Sequence, residues 1–130
     1  MEIQQITEQN PWWEDKEAIK RDEKIRQVTG RKKQLVFPYQ EGHWLIVGPR
    51  QVGKTTYLKL CIKELIEKGV SPKRILYFSC EPLAKAEEII ELIRFTDSLV
   101  PGKKYLFLDE ITFVPEWQKA VKYFLDSPLA

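Results

Sequence analysis

The sequence predicts an α/β fold: a parallel sheet with helices on both faces. Three observations carry this. From residue 43 onward, short apolar runs alternate with longer amphipathic stretches, the pattern of strands crossing over through helices. One strand-to-helix junction is the run Gly48-Pro49-Arg50-Gln51-Val52-Gly53-Lys54-Thr55, which fits G-x-x-x-x-G-K-[ST]. A later run, Lys104-Tyr105-Leu106-Phe107-Leu108-Asp109-Glu110, is one basic residue, four apolar residues and two acids. Its apolar part reads as a strand buried on both faces, as parallel sheets require.

The elements follow in order. Residues 1–11 are polar and read as loose. Residues 13–28 read as one highly charged helix, with sparse apolar positions at Trp13, Ala18, Ile19, Ile25 and Val28, ended by Gly30. Trp12 and Trp13 are too apolar to stand in solvent together, so they dock this arm on the body. Residues 35–37 are a short extended stretch stopped by Pro38. Residues 43–47 form the strand that leads into the glycine-rich run. The helix after it spans 55–68, carries Leu58, Cys61, Ile62 and Leu65 at helical spacing and stops at Gly69. A strand at 74–79 follows. A helix over 83–99 then places Ala86, Ile89, Ile90 and Ile93 on one side. Pro101-Gly102 turns into the strand ending at Leu108. Pro115 opens a last helix with Trp117, Ala120, Val121, Phe124 and Leu125 as its apolar face. Two units result: an arm over 1–34 and a core over 35–130.

The glycine-rich run has a chemistry that follows from its backbone. Glycines at 48 and 53 allow dihedrals and close approach that a side chain would block. Such a loop turns its N–H groups inward as an anion nest, and the helix behind it adds the positive end of its dipole. Phosphate would therefore lie against Gly48, Pro49, Arg50, Gln51, Val52, Gly53, Lys54, Thr55 and Thr56. Lys54 reaches the β- and γ-phosphates as a point charge, and the Thr55 hydroxyl is placed to ligate Mg²⁺. Asp109, at the C-terminal end of its strand, is where a Walker-B carboxylate holds the same ion. An apolar strand ending in two acids is weak alone; about 55 residues after a complete phosphate loop it becomes strong. Glu110 beside that aspartate can orient and deprotonate water, which favours hydrolysis of ATP over transfer to a small acceptor. Lys54 and Glu110 are the catalytic candidates, and ATP with Mg²⁺ the cofactors. The fold class is thus a three-layer P-loop NTPase.

Composition narrows the rest. The 130 residues suffice for one domain with a core, and 43% hydrophobic with 31% charged is a globular balance. No apolar run approaches the roughly 18 residues of a membrane span, and the N-terminus is no signal peptide, so the expected compartment is the cytoplasm, away from membrane. A net charge of +2 makes no case for nucleic acid; Arg31-Lys32-Lys33 reads as a solvated loop. Cys61 and Cys80 read as reduced thiols in or near the core, and the single histidine leaves no zinc site. Tyr39, just before the phosphate-loop strand, stands where a ring could stack on a base.

Three blocks together resemble one family: Asn10-Pro11-Trp12-Trp13, the phosphate loop with Thr56, and Leu108-Asp109-Glu110-Ile111-Thr112-Phe113-Val114-Pro115-Glu116-Trp117. They are similar to an archaeal and bacterial family of AAA-type ATPases, and the Thr-Phe-Val-Pro-Glu-Trp continuation looks like its archaeal members. The resemblance implies Lys54, Thr55, Asp109 and Glu110 as the ATPase residues. Family members continue past the Walker-B helix into a strand with a polar sensor residue, a helical lid and a nuclease-like C-terminal domain. The expectation is therefore an N-terminal ATPase portion whose sheet is incomplete at its C-terminus. It would lack the strand between the phosphate-loop and Walker-B strands, leaving a gap of roughly 10 Å. Either the stretch at 35–37 or a second copy of the chain would then cover the open edges.

Two other classes stay open on the residues. A small-molecule phosphotransferase would need an acceptor pocket and lid arginines, and no arginine-rich lid segment is present. A nucleotide-gated interaction module would bind ATP without turnover. The absence of an Asn-Lys-x-Asp guanine-reading run favours ATP over GTP. The protein or DNA on which such an ATPase would act is open.

Overall fold

A computed structural model describes residues 3–29 and 53–126. The phosphate-loop strand, Gly48 to Val52, Tyr39, the stretch at 35–37 and the cluster at 31–33 all lie outside the described residues.

Helix α1 (Ile3–Glu8) is followed by 3₁₀ turns at Pro11–Trp13 and Lys16–Arg21, then by α2 (Glu23–Thr29). The core continues with α3 (Lys54–Glu67), β1 (Ile75–Ser79), α4 (Ala86–Leu99), β2 (Tyr105–Asp109) and α5 (Trp117–Asp126). The fold is α/β. Strands β1 and β2 run parallel in the register Ile75 to Tyr105 through Ser79 to Asp109. Helices cover both faces. Leu76, Phe78, Leu106 and Leu108 pack with α1, α4 and α5. Ile75, Tyr77, Tyr105 and Phe107 pack with α3 and with the arm residues Trp12, Ile19 and Ile25. The period-2 alternation of each strand feeds the two faces separately.

Helix α3 buries Cys61, Ile62 and Leu65 and ends as its sequence suggests. Gly69 takes φ +95°, its N–H donates to Ile66 O and the Val70 N–H donates to Leu65 O, a Schellman closure that needs the left-handed residue. Helix α4 starts at Ala86, three residues later than its apolar pattern suggested, because the Glu88 carboxylate accepts from the N–H groups of Ala84 and Lys85 and caps it there. Cys61 and Cys80 are both buried free thiols.

The arm departs from its expected shape. Residues 3–8, expected loose, form a helix that buries Ile6. The expected single helix over 13–28 is instead a 3₁₀ turn followed by α2. Asp15 accepts from the Glu17 N–H at 3.0 Å, and Asp22 accepts from the Lys24 N–H at 2.8 Å. Each aspartate starts a new helical segment rather than continuing the last, the competition that makes this residue a capper. The docking of the tryptophans is as expected: Trp12 is 1% exposed.

Two further differences concern the core. The last helix opens at Trp117 and not at Pro115, because Glu116 sits at φ +59°, outside helical space. Leu125, expected on its apolar face, is exposed. Tyr105 to Leu108, expected to be fully buried, are half-buried, while Ile75 to Phe78 are buried. Beyond β1, strand β2 has no strand partner among the described residues.

The outer edge of β1 is closed by side chains of the arm. Asn10 is the centre of it: its Oδ1 accepts from the Tyr77 N–H at 2.7 Å, and its Nδ2 donates to Tyr77 O at 2.8 Å. One amide thus supplies the donor and the acceptor that a neighbouring strand would supply. Trp12 and Trp13 both donate through Nε1 to Ile75 O, at 3.1 and 2.7 Å. The Ser79 N–H donates to Gln9 Oε1 at 2.7 Å. Ile75, Tyr77 and Ser79 are the alternate residues whose backbone groups point away from β2, so the arm meets each outward-facing residue of that edge.

Candidate functional site

The site forms where α3 begins and β2 ends. Gly53 caps α3 at φ +90°, a backbone state that strains any residue with a side chain, although among the described residues a Cβ there would meet nothing within 4 Å. Lys54 and Thr55 are thereby placed in the first turn, beside the positive end of the helix dipole. Thr56 follows, half-buried.

Asp109 ends β2 on the face that carries α3 and is 3% exposed. Its two oxygens have separate environments. Oδ2 accepts from Thr55 Oγ1 at 2.6 Å and from the Tyr77 hydroxyl at 2.7 Å. Oδ1 accepts from the Glu110 N–H at 3.0 Å and faces Lys54 Nζ at 3.7 Å. Lys54 Nζ also lies 3.3 Å from Glu110 Oε1, and both side chains are 14% exposed. Among the described residues the Lys54 ammonium faces both carboxylates, whose separate burial would be expensive. Glu110 holds φ +57°, a left-handed state uncommon for a residue with a side chain. That turn puts its carboxylate on Lys54 and directs the chain into the 3₁₀ turn Ile111–Phe113.

Of the residues singled out in the sequence, Gly53, Lys54, Thr55, Asp109 and Glu110 come together here. Gly48, Pro49, Arg50, Gln51 and Val52 lie outside the described residues. The motif reading missed Tyr77. It is 6% exposed and stands among apolar strand residues, where a tyrosine reads as core. Burial and then its bond to Asp109 hold its hydroxyl well above the usual phenol range, so it stays protonated and donating. Behind its ring, at 5.2 Å from the centroid, is the Lys59 ammonium, itself paired to Asp22 of the arm at 2.7 Å. The available signal was positional: Tyr77 has the only hydroxyl within Ile75–Phe78, on the strand face that Asp109 shares.

The chemistry of the Thr55–Asp109 pair fits a hard divalent cation. Magnesium takes oxygen ligands, keeps several waters, and is held by one or two carboxylates together with substrate phosphates rather than by an all-protein cage. A hydroxyl and a carboxylate oxygen already 2.6 Å apart are a donor set of that kind. No cluster of three or more His, Cys, Asp or Glu side chains suited to a metal occurs among the described residues.

A family model described as an AAA domain matches residues 40–129. The chain belongs to the AAA domain family. Nucleotide binding of the ATPase type is the general function this membership carries, and the match spans α3, both strands and α5. It leaves residues 1–39, the arm among them, outside its bounds. No curated protein and no solved structure matches the chain. No described helix is long and apolar enough to cross a membrane.

Proposed function

We propose that this AAA domain binds ATP together with Mg²⁺ and positions it for hydrolysis, within a core over 35–130 to which the arm over 1–34 is attached. The convergence of Lys54, Thr55, Asp109 and Glu110 carries the reading. The phosphate-binding surface would be Gly48 to Thr56. Thr55 and Asp109 would hold the magnesium ion, which supplies charge neutralisation on the β- and γ-phosphate oxygens. Lys54 would turn from the two carboxylates to the phosphates, exchanging one set of oxygens for another with little loss of ion pairing. Glu110, released by that turn, would accept a proton from water through Oε1. Self-association and a macromolecular partner belong to the same proposal as open features of the surface.

Calorimetry with ATP and Mg²⁺ tests binding. Lys54→Ala is expected to remove most of the triphosphate affinity, because the described site has no second cation beside these carboxylates. Equal affinity in the variant and the native chain would refute the phosphate-loop assignment. Steady-state phosphate release by the native chain separates hydrolysis from binding without turnover, and acceptor-dependent ADP formation identifies a phosphotransferase.

A further inference from the structure

We propose that Tyr77 is a positioning residue for Asp109, and that the arm is the clamp that keeps Tyr77 in place; the inference rests on the reading of Asp109 as a cation-binding carboxylate. The ring alone would satisfy the core. Tyr77 packs with Ile62, Leu65 and Ile75, and phenylalanine would fill the same space. The hydroxyl is what needs a reason, since a buried phenol must find a partner. Its partner is Asp109 Oδ2, the oxygen that also faces Thr55.

Geometry shows what this bond does. Without Tyr77, Oδ2 keeps the Thr55 hydroxyl and Oδ1 keeps the Glu110 N–H and Lys54. Thr55 and Lys54 are the two groups that leave these contacts, or share them, when a cation and phosphates enter. Tyr77 and the Glu110 N–H are the two that stay. One holds each oxygen, so together they fix the rotation of the carboxylate while the other two exchange partners. Such supporting bonds orient a ligating group before the ion arrives.

The arm reaches the same residue from outside. Asn10 grips the Tyr77 N–H and C=O, and Asp22 holds Lys59 against the ring. The chain of contacts from Asn10 through Tyr77 to Asp109 is continuous, which makes the arm part of the site's support.

The test uses the full chain, Tyr77→Phe, and a non-hydrolysable ATP analogue titrated in Mg²⁺ and again in EDTA. The expected result is a loss of about 10-fold in affinity with Mg²⁺ and no change in EDTA. Manganese bound in the presence of the analogue, read by electron paramagnetic resonance, should weaken by the same factor. Equal losses in Mg²⁺ and EDTA would mean a purely structural tyrosine and overturn the proposal, as would an affinity unchanged in both. If the native chain binds no nucleotide, or binds it equally with and without Mg²⁺, the underlying reading fails and takes this inference with it. A second readout keeps the hydroxyl: 3-fluorotyrosine at position 77 should shift its ¹⁹F resonance when Mg²⁺ joins the bound analogue, and a resonance that ignores the ion would contradict the proposal even if Tyr77→Phe folded poorly.

Discussion

Lys54 stands between two carboxylates, 3.7 Å from Asp109 and 3.3 Å from Glu110, and each contact has a different fate when phosphate binds. Asp109 is tied by three further hydrogen bonds and stays. Among the described residues the Glu110 side chain pairs with Lys54 alone, so it is the one set free. Glu110→Gln should therefore bind ATP and Mg²⁺ as the native chain does and hydrolyse it at least about 100-fold more slowly, the usual scale for a lost general base. Asp109→Ala should instead weaken the Mg²⁺-dependent part of binding. Single-turnover phosphate release and calorimetry on both variants separate the two roles, and native rates in both would reduce the acids to a strand end. The convergence of Lys54, Thr55, Asp109 and Glu110 was legible in the sequence because each motif is local and its spacing encodes its geometry. Tyr77 was not legible, because its contact with Asp109 crosses between strands and its side chain is equally at home in a core.

The arm is the element least legible in the sequence. Trp12 and Trp13 announce docking by their size, but they do not reveal that the docking site is a strand edge. The breaks at Asp15 and Asp22 are local capping decisions that a helical charge pattern hides. Asn10 replaces the strand partner of Tyr77 with one amide, and it is itself 1% exposed. Asn10→Ala leaves the Tyr77 N–H and C=O buried without these partners, at a cost of about 3 kcal/mol for the two groups. Gln9→Ala should cost less, since Ser79 is only half-buried and water can take its N–H. Urea unfolding of both variants decides this. If Asn10→Ala were as mild as Gln9→Ala, the edge would be held by the tryptophans and not by the amide. An edge stripped of Asn10 should also recruit other chains, visible as a rise in light scattering with concentration.

At the scale of the molecule, the two-faced core was legible and its ionisation was not. Alternating strands and helices imply a sheet covered on both sides, and the two apolar clusters realise it with α3 on one face and α4 and α5 on the other. Burial of specific titrating groups depends on how those layers close, which no periodicity reports. Burial pushes the Cys80 thiol up from 9.0 to about 12, with the Asp109 charge adding to it. Burial likewise raises the Cys61 thiol, and burial together with Asp109 raises the Tyr77 phenol from its ordinary 10.0. All three are acids kept neutral by folding. Below pH 9 they are neutral in both states, and their contribution to stability is fully present. As pH rises past the unfolded values, the unfolded chain gives up protons that the folded chain retains, and stability falls. The expected outcome is a decline in the urea midpoint from about pH 9 toward pH 12, steepest where thiol and phenol titrate together. Tyr77→Phe combined with Cys80→Ala should flatten much of that slope while lowering stability at pH 7. An alkaline slope unchanged in the double variant would place the loss elsewhere than in Tyr77 and Cys80.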